Sequence, residues 1–159
     1  MEKSILKDIG LYKDKLVSVF LGSPDICRTL LGESYTDSDV SNLMYKQIFP
    51  LLCLNKNETA VLPFILFDVD VKEIPTSTVK HMAIIIEPCC HQDCMKYSQD
   101  GYSGTRVDIL ADMIERELRR SDSFGIGCLH LDSVTHKSYH GTYYGRQMVF
   151  SVPDFKLKG

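Results

Sequence analysis

The chain predicts an α+β fold: an antiparallel sheet of about four strands, one long amphipathic helix at about residues 105–120 packed on it, and two or three helices ahead of it. Three observations predict this. Residues 105–120, TRVDILADMIERELRR, put Val107, Leu110, Ala111, Ile114 and Leu118 at helical spacing on one face and charged residues on the other. Residues 61–86 contain two runs of strand character, and residues 127–152 contain two more with a turn between them. The first 58 residues carry apolar side chains at intervals of three and four instead.

Taken in order, residues 4–20 place Ile5, Ile9, Tyr12, Leu16 and Phe20 on one stripe, a first helix that Gly22, Ser23 and Pro24 end. Asp25 to Leu31 is a short helical piece closed by Gly32. Thr36 to Ile48 opens on capping residues and gathers Val40, Leu43, Met44 and Ile48, which predicts a further helix stopped by Pro50. Leu51 to Glu58 reads as a surface connection.

The run VLPFILFDVDVKEIP then alternates, with Ile65, Phe67, Val69 and Val71 on one face and Phe64, Leu66, Asp68 and Asp70 on the other. Pro75, Thr76 and Ser77 break it, and Val79 to Ile86 returns as a buried strand. Pro88 to Gly104 reads as a loop. The helix follows, entered through Thr105 and Asp108 in capping-box spacing and left with Arg119 and Arg120 in its last turn. Gly127 to Tyr139 and Tyr144 to Val152 form a final pair about the turn His140-Gly141-Thr142, with Arg146, Met148, Phe150 and Val152 sharing a side. No repeat or linker divides the 159 residues, so one domain is expected, with a helical part over 1–58 and a sheet-plus-helix core over 60–156.

A net charge of −3 gives no whole-chain attraction to nucleic acid or an anionic membrane. No run approaches the roughly 18 apolar residues of a spanning helix, and the charged start MEKSILKDIG is unlike a signal peptide. The six cysteines are therefore expected to be reduced.

Four groupings bear on chemistry. Cys89, Cys90, His91 and Cys94 are soft ligands of the kind zinc takes, with Cys128, His130 and His136 as distant additions, but adjacent cysteines seldom face one ion and no second ligand pair has the usual spacing. Asp68, Asp70, Glu73 and Glu87 suggest a Mg²⁺ cluster of a nuclease, against which Pro88 and Cys89 stand where a catalytic lysine is expected. His130, His136 and His140 lie near Asp132, Ser133 and Ser138, without the G-x-S-x-G turn of a hydrolase. Arg116, Arg119, Arg120, Lys137 and Arg146, interleaved with Tyr139, Tyr143 and Tyr144, form a basic strip that a solvated helix face also explains. The expectation is accordingly no catalytic residue, no cofactor and no metal. Contacts between subunits or with partners are assigned to Tyr102, Tyr139, Tyr143, Tyr144, Arg146 and Met148, because aromatic side chains and Met supply much interface energy.

The order of elements resembles the tail-completion and tail-terminator proteins of tailed bacteriophages, the neck subunits where tail tube meets head. In that family a proline-led strand and a second strand precede a helix of the form R-x-D-x-L-A-D-x-I, matched here by Arg106, Asp108, Leu110, Ala111, Asp112 and Ile114. The likeness covers about residues 60–156, and Asp25 to Ile48 adds a helix beyond the usual single leading one. The resemblance implies a structural protein of the virion, assembled in the host bacterial cytoplasm. It would form a ring with itself, usually a hexamer, with the tail tube protein and the head–tail connector or stopper as partners. It would have no membrane contact and no specific nucleic acid, although DNA would pass through the ring. The alternatives are a head-closure or adaptor protein of the same neck and, from another class, a small metal-dependent phage nuclease using Asp68, Asp70 and Glu87.

Overall fold

The computed structural model describes residues 6–73, 79–125 and 128–155. Helix α1 (Lys7–Leu21) buries Tyr12, Leu16 and Phe20, and α2 (Pro24–Leu31) starts at the Ser23 cap with Pro24 in its first turn. The third helix, α3, spans only Asp37–Ser41. The expected continuation to Ile48 does not form. Tyr45 takes a left-handed φ of 61°, and Ile48–Phe49 becomes strand β1. Buried Gln47 holds this turn in place, its Nε2 donating to Leu30 O at 2.8 Å and Pro63 O at 3.1 Å. Two hydrogen bonds to a buried amide outweigh a helical pattern of four apolar residues, which is a weak preference on its own.

Strands β2 (Pro63–Glu73), β3 (Val79–His91), β4 (His130–Tyr139) and β5 (Tyr143–Phe155) complete a five-stranded sheet ordered β1-β2-β3-β5-β4. All pairings are antiparallel except β1 with β2, so the sheet has one strand more than expected and a parallel edge. The turn foreseen at Pro75, Thr76 and Ser77 lies outside the described residues. So do Ile5, at the start of the first predicted helix, Gly127, the predicted first residue of the last strand pair, and the Glu73 side chain. β3 also outruns its expected end, continuing through Pro88 to His91. Between the pairs Ile86–Met148 and Cys89–Gly145 the ladder with β5 has a gap at Glu87 and Pro88, and Gly145 fits closely there: a Cβ on it would meet Pro88 O at 2.2 Å.

Helix α4 (Arg106–Arg120) begins with the foreseen capping box, Thr105 and Asp108 each accepting from the other's backbone N–H. Val107, Leu110, Ala111, Ile114 and Leu118 are buried as their spacing requires, joined by Ile109 and Met113. This helix, α1 and α2 cover one face of the sheet, meeting Ile65, Phe67, Val69, Met82, Ile84, Ile86, Met148, Phe150 and Val152 in a single core. At the margin of this core Lys80 is fully buried, its Nζ on Asp8 of α1 and on Phe155 O, beside the Tyr12 hydroxyl that donates to Asp154 at 2.6 Å. A second, smaller cluster lies on the opposite face, where Leu54 packs against Phe64, Leu66, Cys89, Tyr139 and Tyr143, with Phe49, Leu52, Ala60 and Leu62 around them. The segment Leu51 to Glu58, expected to be a surface connection, is thus in part, with its flanks out to residues 49 and 62, a cover for the sheet.

Candidate assembly surface

The residues assigned to contacts divide into two groups. Tyr139, Tyr143 and Met148 are at most 8% exposed within the subunit and belong to its core. Their alternation along the hairpin points Tyr139 and Tyr143 at the covering segment 49–62, and Tyr143 donates its hydroxyl to Ala60 O at 2.8 Å. Tyr102, Tyr144 and Arg146 remain half-exposed. Tyr102 lies under the Arg116 guanidinium, 4.4 Å from ring to charge, and Tyr144 stacks on His136.

The hairpin tip is set by backbone chemistry. His140 (φ 55°) and Gly141 (φ 70°) are both left-handed, and the Thr142 N–H closes the turn on Tyr139 O. His140 Nε2 lies 2.9 Å from Leu54 O, which ties the tip to the covering segment.

Strand β4 is the outer strand of the sheet and pairs only with β5 among the described residues. Its side chains are mostly exposed, and a bulge between Leu131 and Ser133 turns Leu131 and Val134 toward α4. There they line a groove of about 290 Å³ with Ala111, Met148, Asp112 and Glu115. Val134 is 45% exposed. Arg146 closes one end of the groove by reaching Asp108 at 3.2 Å. Partial burial pushes the Asp108 carboxyl up, yet hydrogen bonds from Thr105 and Arg146 hold it below the usual carboxylate range.

At the opposite edge, beside β1, the exposed apolar side chains are Tyr45 (68%), Leu51 (42%) and Val61 (50%). Tyr45 and Leu51, with Phe49, Cys53 and Leu54, line a wider groove of about 650 Å³ that reaches His140. Tyr45, left-handed at φ 61°, donates its N–H to Ile48 O at 2.8 Å and sets its largely exposed ring edge-on to Phe49.

The chemical groupings are not assembled. Cys89 and Cys90 alternate across the sheet, Cys89 into the small cluster and Cys90 toward Met95, so the four soft ligands do not converge. Among the described residues no group of three or more His, Cys, Asp or Glu could hold a metal ion. Asp68 is paired with Lys13 at 2.9 Å, and Asp70 is exposed. Glu87 is buried and saturated, its carboxylate accepting from Tyr139 and from Gln147 (2.7 Å), with Lys137 at 4.0 Å. Burial and this carboxylate push the Tyr139 hydroxyl far above its ordinary range. Sequence reasoning missed the polar cluster, whose signal was one acid inside an otherwise apolar strand. Nor, among the described residues, is a histidine shown bonded to a serine hydroxyl: His130 and Ser151 both bond Asp132, at 2.7 and 3.0 Å. Every arginine of the basic strip has an acidic neighbour: Arg116 with Asp112, Arg119 with Glu115, Arg120 with Glu117 and Arg146 with Asp108. No helix among the described residues is long and apolar enough to cross a membrane.

Compared with known proteins, the chain matches the YomW family over residues 23–152. It therefore belongs to that family, which is phage-associated and is named like a gene product of Bacillus phage SPbeta. No curated protein and no solved structure matches the chain.

Proposed function

We propose that this member of the YomW family is a non-enzymatic structural subunit of a tailed-phage neck, a tail-terminator or tail-completion protein. It assembles as a ring, usually of six copies, that caps the tail tube and meets the head connector. Family membership supports the phage setting, and the order of elements over residues 60–156 supports the neck role. The observation that carries the ring is the inequality of the two sheet edges. β4 offers Leu131 and Val134 beside α4, whereas the β1 side offers Tyr45, Leu51 and Val61. When unlike patches on one subunit meet, contacts repeat head to tail, and they close into a ring if the rotation between copies permits. Exposed apolar side chains at both edges supply the area such contacts bury. A ring ends tube growth because only one of its faces matches the tube.

The test uses two variants. Val134→Lys blocks the β4 edge, and Tyr45→Asp with Leu51→Asp blocks the β1 edge. Light scattering and negative-stain imaging should show an annulus for the unaltered protein and monomers for each variant. Mixed together, the variants should form dimers and nothing larger, because each keeps one working edge. A ring that persists in either variant, or mixing that gives only monomers, overturns the reading.

A further inference from the structure

Between β1 and β2 the chain runs from residue 50 to residue 62 without a helix or strand, yet it covers part of the sheet's second face. Leu54 is the one buried side chain in this run, and beneath it lie Phe64, Leu66, Cys89, Tyr139 and Tyr143. The hydrogen bonds of the run fall into two sets. One set is internal: the Asn57 N–H donates to Asn55 Oδ1 at 2.9 Å, the Glu58 N–H to Asn55 O at 3.0 Å, and the Thr59 and Ala60 N–H groups to the Glu58 carboxylate at 3.1 and 3.4 Å. The other set ties the run to the body of the subunit, and there the run supplies carbonyl oxygens alone. Lys13 Nζ donates to Pro50 O at 3.0 Å, the Tyr143 hydroxyl to Ala60 O at 2.8 Å and the His91 N–H to Leu62 O at 3.3 Å, while His140 Nε2 lies 2.9 Å from Leu54 O.

We propose that residues 50–62 are a strap that opens as a unit while the sheet and helices stay folded, and that closing it builds one wall of the β1-side groove. Opening breaks no strand pairing, because the ladders of β2 start outside the strap, at Phe49 with Leu66 on one side and at Pro63 with Cys90 on the other. The internal bonds travel with the strap. The four carbonyls it releases accept from water instead, so each tie contributes little net stability, and the apolar burial given up is centred on a single leucine. Pro50 and Pro63 stand at the two ends, where neither has an N–H to fasten it to a neighbour. A segment with so few buried apolar contacts opens at a fraction of the cost of unfolding the whole domain. The strap supplies Leu51, Cys53 and Leu54 to the groove, and the body supplies Tyr45, Phe49 and His140. With the strap open that groove does not exist. Its part in ring contacts rests on the neck reading, whereas its opening does not.

Two buried thiols separate local from global opening. Cys89 is 0% exposed beneath the strap, and Cys27 is 1% exposed in α2 within the main core. The full, reduced chain carries Cys53→Ser and Cys128→Ser, which remove the two exposed thiols. It is treated with N-ethylmaleimide in native buffer, and labelling at each cysteine is followed in time by peptide fragmentation. Cys89 should react at least about tenfold faster than Cys27, because a thiol that is reached only by opening reports the population of the open form. Leu54→Ala should raise the Cys89 rate by about tenfold or more and leave that of Cys27 unchanged. A Cys89 rate no higher than that of Cys27 overturns the strap, as does a Leu54→Ala variant that speeds both alike or neither. The same measurement with Val134→Lys added gives the monomer for comparison. Slower Cys89 labelling in the ring than in that monomer supports the groove's part in assembly, and equal rates overturn it. If no ring forms, the neck reading fails and the ratio of Cys89 to Cys27 still decides the strap.

Discussion

Removing the carboxylate of Asp8 should be among the most damaging single changes available, because of where its partner lies. The Lys80 side chain is 0% exposed and that of Asp8 is 9% exposed, with 2.5 Å between Nζ and the carboxylate. Asp8→Ala leaves an ammonium in the interior with Phe155 O, at 3.0 Å, as its remaining acceptor among the described residues. Breaking one side of such a pair costs about 3–5 kcal/mol, which for a domain of this size lowers Tm by roughly 10 °C. Lys80→Met should also be destabilising, because it leaves the buried Asp8 carboxylate without its cation. Combining Asp8→Ala with Lys80→Met should then recover most of the loss. Urea unfolding of the four proteins, followed by circular dichroism, measures all three differences in one cycle. If the double variant is no more stable than Asp8→Ala alone, an unpaired buried charge is not what destabilises that variant, and charge neutralisation is refuted as the role of Asp8.

Two further outcomes follow from the same packing. Burial, with Asp154 beside Tyr12 and Glu87 beside Tyr139, pushes both hydroxyls well above the ordinary tyrosine range in the fold. For an acid raised in the folded state, the stabilising contribution is complete below the unfolded value of about 10 and is lost as pH climbs beyond it. Stability should therefore fall by about 2.7 kcal/mol per pH unit above pH 10 from the two together, and Tyr12→Phe with Tyr139→Phe should flatten that slope in denaturation curves read at successive pH values. At Gly145 an added methyl would meet Pro88 O at 2.2 Å and Cys89 Cβ at 2.7 Å. Backbone cannot step aside as a side chain tip can, so Gly145→Ala should cost about 3 kcal/mol in thermal unfolding, and a change under 1 kcal/mol would show that β3 and β5 can separate there.

What the sequence reveals depends on whether a pattern is local. The stripe of α4 and its Thr105 and Asp108 cap are set within one helix, and both appear as their spacing requires. The alternation from Phe64 to Val69 likewise assigns each side chain to its observed face. Ile48 and Phe49 mislead because a helical period in Val40, Leu43, Met44 and Ile48 competes with β2, which comes later in the chain and offers a ladder. The tyrosines of the hairpin mislead for a similar reason. Periodicity places Tyr139 and Tyr143 on the sheet's second face, but only the fold brings Leu54 and Leu62 over them, and without that cover they would be surface residues. Leu52 and Leu54, in a segment that reads as a loop, are the signal that something there is covered. The cysteines of residues 89–94 are visible as a grouping, while the separation of Cys89 from Cys90 across the sheet requires the strand to continue through Pro88.

The strand order carries a consequence for how the molecule is made. β5 stands between β3 and β4, yet it is the last of the five strands to leave the ribosome. Until it emerges, β4 has no neighbour to hydrogen-bond with, and β3 shows a bare flank. A chain in which β5 is not yet in place shows the flank of β3 and both flanks of β4 unpaired, a surface open to other copies. Residues 143–155 act as a keystone, since their loss alone leaves β3 without its neighbour and β4 without any partner among the described strands.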